Sequence, residues 1–496
     1  MSHSRDQLET LELTTVSTEV HVTPVENDDE PTVESDLTQQ WLDANEAQAA
    51  PEGAVSDARP TRRYQVALLV AGFSMIFQII GINSVYGIFQ EFYTSSESNI
   101  KDAQGQDALV SLVGTIGYGL TWGGAVFVNP LIMRIENLKI VTLSGAFIMS
   151  LGLFLASFSS RLWHLYLTQA LLYGIGAALL YFPIMSFAPQ FFDRHRGFAL
   201  GFILSGNGFG GLVLAPVIHS LIHRYGIQWT LRILGIWSLV AMIPVACVVK
   251  QPPGFEARRR REASSLLRRG TFSGSNSNHL LTFLLRQALG SFLQAAGNIV
   301  PLFYLPTYST SVLAYSSSTG SLLLALNNAV NSVARIIMGI VADRVGRQNT
   351  MIISVILSTV SVFALWFDAS RPRFIAFVVL YGILAGGYNA LFPTTITEVY
   401  GMKNYNAVNS FIYFVRGAGA IAGPPIAGVI LGNHQRGTTV PGSSSSMDAG
   451  TSLSILKKRY NDLVVYDGML LLGASLCVAC VRWCDARDKG AWKWKA

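Results

Sequence analysis

From residue 65 onward the chain alternates between long apolar runs and short polar breaks. A helix of about 20 apolar residues crosses a bilayer. Twelve runs reach that length: 65–92, 108–129, 139–159, 163–188, 197–218, 230–249, 280–307, 318–342, 350–367, 373–397, 405–432 and 466–484. They are too long, and alternate too little, for barrel strands. Glycine and proline interrupt several of them, which helix bundles tolerate because neighbouring helices re-satisfy the freed backbone groups. The pattern predicts an all-α polytopic membrane protein with 12 transmembrane helices. The stretch 433–465, which holds "PGSSSSMDAG", reads as a long, flexible loop.

A polar segment at 250–279 divides the runs into six and six. Its "RRRR" at 258–261 suits anionic lipid headgroups. Basic runs beside membrane spans are routine, so nucleic acid is not an expected partner. A repeat links the two sides. "YFP" at 181–183 matches "LFP" at 391–393 with a shift of 210. With a shift of 209, Gly208, Gly210 and Pro216 match Gly417, Gly419 and Pro425. Two parallel repeats of six helices, forming pseudo-symmetric bundles, are the build of a secondary transporter with its site between halves. The expected organisation is an acidic tail (1–63), an N-terminal bundle (64–249), a basic linker (250–279), a C-terminal bundle (280–484) and a short tail (485–496).

Charge sharpens this picture. Of the 496 residues, 13% are charged, about half the fraction of a soluble protein. Residues 1–60 hold 14 acids and 2 bases, whereas the rest hold 16 acids and 34 bases. The first part has the composition of a disordered tail and lacks the basic start and apolar core of a signal peptide. With the N-terminus placed inside, inner segments carry 22 Lys and Arg against 9 in outer segments. That bias predicts both termini cytoplasmic, in the plasma membrane or a vacuolar membrane.

Two arginines stand inside apolar runs, Arg335 and Arg416. An arginine at the centre of a span costs about 2.5–3.5 kcal/mol on insertion scales. Facing a water-filled cavity it becomes an anion receptor. A carboxylate at about 4 Å, with an effective dielectric near 20, contributes roughly 4 kcal/mol. The acids Glu91, Asp343, Asp368, Glu398 and Asp467 fall at predicted span ends, which leaves the interior net positive. Asn83, Tyr86, Asn331, Tyr304, Tyr308 and Asn389, with Asn409 and Tyr413, are the further candidates for a substrate cavity. Arg335 has a structural alternative as well, pairing with helix carbonyls or with Asn327, Asn328 or Asn331. Cys477, Cys480 and Cys484 share a face of the last run but read as small apolar fillers, so neither metal nor cofactor is expected. There is no Gly-x-Ser-x-Gly elbow, His-Glu-x-x-His pair or intramembrane acid pair to support an enzyme.

The stretch "GIVADRVGR" (339–347) resembles the cytoplasmic-loop signature of the major facilitator superfamily. The resemblance gives Gly339, Asp343, Arg344, Gly346 and Arg347 a gating role, with Gly339 allowing close helix approach. The first-half counterpart, "NPLIMRIENLKI" (129–140), keeps Arg134 but has no acid at the matching place. "FFDRHRGFALGFILSGNGFGG" (191–211), "YGIQWTLRILG" (225–235) and "AGPPIAG" (422–428) resemble the monocarboxylate-porter family, especially its fungal branch. Gly197 and Gly201 form a small-xxx-small pair suited to backbone contact. Gly206, Gly210, Pro216 and Pro425 are further expected packing positions. The chain departs from the family where an Asp-Gly-Gly motif precedes the first span, reading "ARPTRRYQ" (58–65) instead. The first-span lysine of the proton-coupled animal members falls at Asn83, and their acid four residues before the eighth-span arginine falls at Asn331. Amides do not titrate, which removes the family's proton carriers from these places.

The resemblance implies a secondary active transporter that moves a small organic acid, or an acid-bearing metabolite, by alternating access. Its expected partners are that anionic small molecule and lipid. Import of a monocarboxylate or vitamin and export of a secondary metabolite both remain open, as does a receptor on a transporter scaffold. Oligomeric state is not legible.

Overall fold

The computed structural model describes residues 61–135, 137–192, 196–251, 277–432 and 449–488. Among the described residues every regular element is helical. The helices are α1 (Arg62–Thr94), α2 (Asp107–Gly123, continued at an angle of 44° by Ala125–Arg134), α3 (Leu138–Ala156) and α4 (Leu162–Phe187). A single helical run, Arg196–Val248, follows and is broken at Gly226, whose φ of 77° no ordinary helix residue adopts. It divides into α5 (196–225) and α6 (227–248). The second half holds α7 (Ser277–Ser311), α8 (Ser317–Val345), α9 (Arg347–Trp366), α10 (Arg371–Ile396), α11 (Val408–Leu431) and α12 (Ser454–Arg487).

Among the described residues ten apolar helical runs are long enough to cross a membrane, and the bent pair of α2 makes eleven. The break at Gly226 turns one 48-residue run into two crossings, giving twelve. Helix continues from α10 into α11, yet the chain reverses between them. Arg416 on α11 lies 2.7 Å from Asn389 on α10, 27 residues away. A straight helix would hold them about 40 Å apart. The outward faces are apolar, with Phe127, Val240, Leu476 and Val429 each more than 60% exposed. That is the reverse of a water-soluble surface and suits hydrocarbon.

The repeat in the sequence is a repeat of contacts. α1 packs on α5 as α7 packs on α11, and α3 packs on α6 as α9 packs on α12. The matched glycines do matched work. Gly210 on α5 lies against Phe77 and Gly81 of α1, and Gly419 on α11 lies against Phe292 of α7. Gly208 instead crosses to the other half, against Asn328 and Ser332 of α8, and Gly417 crosses to Gly119 and Gly123 of α2. The two halves are therefore joined along α5–α8 and α2–α11. A third line joins α1 to α7, where Gly87 meets the Leu302 carbonyl and Tyr86 lies 5.0 Å from Phe303.

Three expectations change. α12 begins well before residue 466: helix runs from Ala449 to Asp488, so only part of the expected 433–465 loop falls outside the described residues. Tyr460, Leu463 and Val464 are buried, while Lys457 pairs with Asp368 at 2.5 Å across the α9–α10 turn. The charges at 457–459 hid this amphipathic helix from a reading of apolar runs. Lys457 also draws the Asp368 carboxyl below its ordinary range through that hydrogen bond. As a consequence, Asp467 is no longer at a span end. It lies inside α12 with no exposed surface, so the interior holds an acid as well as two arginines. Finally, Gly201 and Gly339 admit no neighbour, since a Cβ on either would meet nothing within 4 Å.

A Cβ on Gly210 would overlap the Phe77 carbonyl oxygen. Gly210→Leu is expected to lower the unfolding temperature of the purified protein, with overpacking costing about 1–3 kcal/mol or more. Gly201→Leu is the matched control and should unfold near the parent temperature.

Candidate functional site

The two arginines come from the C-terminal half and face inward. On α8, Val333, Ile336, Ile337 and Ile340 form an exposed apolar stripe. Arg335 lies on the opposite face, as the helical period requires. Its Nε–H donates to Asn331 Oδ1 at 2.9 Å, and Nη1 donates to the Leu204 carbonyl of α5 at 3.2 Å. The second bond spans the two halves. Beside it the Ser332 hydroxyl donates to the Ser205 carbonyl at 2.8 Å. Asn331 in turn donates to the Gly382 carbonyl of α10 at 3.1 Å, which fixes the acceptor that Arg335 uses. Part of the guanidinium's capacity is therefore spent on structure, the alternative expected from its asparagine neighbours.

Arg416 is more enclosed, with 2% of its surface exposed. Its Nη2 donates to Asn389 Oδ1 at 2.7 Å. Four aromatic rings surround the guanidinium carbon: Phe392 at 4.5 Å, Trp122 at 4.6 Å, Tyr388 at 5.3 Å and Tyr413 at 5.8 Å. Ring faces stabilise a cation by about 0.5–2 kcal/mol each, more where water is excluded. This is how the chain carries a charge at membrane depth without an acid beside it. The Nε–H finds no acceptor among the described residues. Trp122 comes from α2 of the other half, so the box closes only when the halves meet. Both arginine charges act on the Tyr118 and Tyr413 hydroxyls, so the two cations share one polar region.

The remaining candidates divide. Asn389 belongs to the Arg416 box and Asn331 to the Arg335 linkage. Tyr413 also joins the box, while one Asn409 amide oxygen is buried without a partner among the described residues. Asn83 is buried in α1 with its Nδ2 likewise unpartnered. Tyr86, Tyr304 and Tyr308 are not part of the arginine site. Tyr86 donates to the Val110 carbonyl at 2.8 Å, and Tyr304 donates to the Pro424 carbonyl at 2.8 Å. Tyr308 is packed among Trp366, Phe374 and Tyr460. These three tyrosines build contacts between helices instead.

In the loop motif, Gly346 ends α8 with a φ of 98°. Arg344 and Arg347 are exposed, and the Asp343 side chain lies outside the described residues. Gly206 and Gly210 take the close contact with α1. The surroundings of Gly197 lie outside the described residues, and Pro216 and Pro425 sit within α5 and α11. Sequence reasoning missed Trp122, Tyr388 and Phe392. Their signal was a pair of i, i+4 spacings, Tyr118 with Trp122 and Tyr388 with Phe392, each placing two rings on one helix face.

Comparison with known proteins agrees with this architecture. An MFS-type transporter of Aspergillus niger, pynF, is 28% identical over 386 residues, covering 76% of this chain and 84% of that protein. The agnestins efflux protein AgnL12 of Paecilomyces divaricatus is 26% identical, covering 74% and 81%. A crystal structure of the peptide transporter POT with sulfate matches with a TM-score of 0.63 at 10% identity, covering 86% of this chain and 95% of that one. At that identity the match speaks to fold alone. Residues 66–424 match the family pattern of the Major Facilitator Superfamily, and the chain is a member of that superfamily, a transporter and not an enzyme.

Proposed function

We propose that this transporter exports an acid-bearing metabolite with a planar, aromatic or conjugated body. The observation that carries the reading is the Arg416 box. A guanidinium held between Trp122, Tyr388, Phe392 and Tyr413, with an Nε–H left unpartnered, offers a charge and ring faces together. A planar acid satisfies both, its carboxylate on the cation and its body against the rings. The efflux of agnestins by a relative supports the direction. The sequence resemblance to monocarboxylate porters supports the acid.

The box also supplies a mechanism. Its walls belong to different halves, so rocking one half against the other removes Trp122 and loosens the grip. Arg335 acts as a latch. Its bond to the Leu204 carbonyl ties α8 to α5, and that bond must break for α5 and α8 to separate. An acid that draws the guanidinium away would favour the separation. The basic residues Arg62, Arg63, Arg134, Arg344 and Arg347 border the helix ends nearest the N-terminus, which supports a cytoplasmic placement of that end and loading from the cytoplasm.

Inside-out vesicles carrying the protein test the cargo class. Aromatic carboxylic acids should accumulate, and their matched primary amides should not. Equal accumulation of acids and amides would remove the arginine from recognition. Arg416→Gln is expected to weaken the apparent affinity by about tenfold to a hundredfold, the weight of a charged hydrogen bond of about 1.5–3 kcal/mol. Arg416→Lys should recover only part, because an ammonium lacks the planar, stackable fork. Arg335→Ala should abolish turnover while surface expression and acid binding, read from Trp122 fluorescence, persist. Loss of binding in that variant would make Arg335 a cargo contact and not a latch.

A further inference from the structure

The interior acid revealed by the extended α12 has no role in the anion site. Asp467 has no exposed surface, and neither carboxyl oxygen finds a hydrogen-bond partner among the described residues. It faces α7, where its Oδ1 would lie 3.3 Å from a Cβ on Gly297. The titratable groups near it are Tyr381 of α10 and Tyr466 of its own helix. From α9 the neighbouring residue is Phe363, which lies against Gly468. No Lys or Arg among the described residues is within ion-pair distance. An ionised carboxylate left unpaired in such a place is costly.

A row of polar side chains on α7 ends near this carboxyl, Asn298 being the chain neighbour of Gly297. Gln287, Ser291, Gln294 and Asn298 are all buried on α7. Their spacing of four, three and four residues puts them on one helix face, successive rungs about 5–6 Å apart. The rungs are not idle. Ser291 shares a hydrogen bond with the Tyr388 hydroxyl at 3.4 Å, and beside the last rung the Asn298 backbone carbonyl accepts from the Tyr381 hydroxyl at 3.4 Å. Gln294 Oε1 is buried without a partner. At one end Gln287 and Gln348 line a small cavity. There Gln348 donates to Asp485 at 3.1 Å, and Asp485 lies 3.6 Å from Arg482. At the other end lies Asp467. Four amide and hydroxyl side chains buried in one row on a membrane-spanning helix need a reason that packing does not supply.

We propose that Asp467 is a proton-binding site of the C-terminal half, filled and emptied along the polar face of α7 from the end that holds Gln348 and Asp485. One proton passes from water to the carboxylate, which goes from a charge of −1 to neutral, and returns by the same route. The file touches the anion site at one residue, Tyr388, whose hydroxyl bonds Ser291 and whose ring lies 5.3 Å from the Arg416 guanidinium. The assignment stands independently of the choice of cargo. It also supplies a titratable group to a chain whose Asn83 and Asn331 have none.

Infrared difference spectra of the full-length protein in lipid vesicles, without cargo, test it directly. Acidification should raise, among the carbonyl bands of the protonated carboxylic acids, one separate band at the high frequency of a carboxyl without hydrogen bonds. That band should be missing in Asp467→Asn and kept in Asp107→Asn and Asp485→Asn. A wild-type protein without the band, or an Asp467→Asn protein that keeps it, overturns the proposal. Should Asp467→Asn fail to fold, carboxyl-labelled aspartate in the wild type and in the other two variants still decides it. The band must then shift with the label in all three. Exchanging sodium for potassium at fixed pH should leave the band unchanged, and a sodium-dependent loss would make the site a cation site instead. Gln294→Leu should keep the band but slow its exchange in heavy water at least tenfold. Unchanged exchange would overturn the route.

Discussion

The structure depends on places where helix backbones from opposite halves touch with nothing between them, and two of these stand beside the arginines. Gly208 rests on Asn328 and Ser332, and Gly417 rests on Gly119 and Gly123. In lipid there is no hydrophobic drive to bring helices together, so close van der Waals contact must do it. A methyl group at either glycine would overlap a neighbouring helix. These contacts set α5 against α8 and α2 against α11, and both arginines stand beside them. Arg335 reaches the Leu204 carbonyl because Gly208, one turn along α5, lets α8 approach. Arg416 precedes Gly417 directly and meets Trp122, which precedes Gly123. The anion site is thus placed by the same contacts that hold the halves together.

Much of this is legible in the sequence. Run length marked the spans, because a bilayer dictates how many apolar residues a helix needs. The repeat showed in Gly208, Gly210 and Pro216 and their partners 209 residues on, since backbone contact tolerates few other side chains. The arginines stood out because charge inside an apolar run is expensive. Other features were hidden for equally physical reasons. The start of α12 carries Lys457, Lys458 and Arg459 on a helix whose other face is buried, and an average over the run erases that asymmetry. Trp122, Tyr388 and Phe392 are apolar enough to pass for lipid-facing residues. Glycine does not say what it faces, so Gly201 and Gly339 were assigned neighbours that they lack in this conformation.

The buried polar groups fall into two populations. Around Arg416 and Arg335 they join the halves and are mostly satisfied. Along α7 they stay within the C-terminal half and are partly unsatisfied. A charged guanidinium can remain charged here because aromatic faces and amide oxygens replace its water. A carboxylate at Asp467 has no such replacement. The same low dielectric therefore holds one group in a fixed state and leaves the other to change.

The bend in α2 has a mechanical consequence. Gly123 and Gly124 form an elbow of 44°, and Trp122 sits at its crook. On one side, Ala108 meets Gly428 near one face of the membrane. On the other, Asn129 bonds Ser410 at 2.8 Å near the opposite face. A rigid rod would couple these two seals, so that loosening one strained the other. Two short levers joined at glycines can pivot separately, with the indole as fulcrum. Such a joint would let one mouth part while its opposite stays shut, as a porter that must never be open from end to end requires.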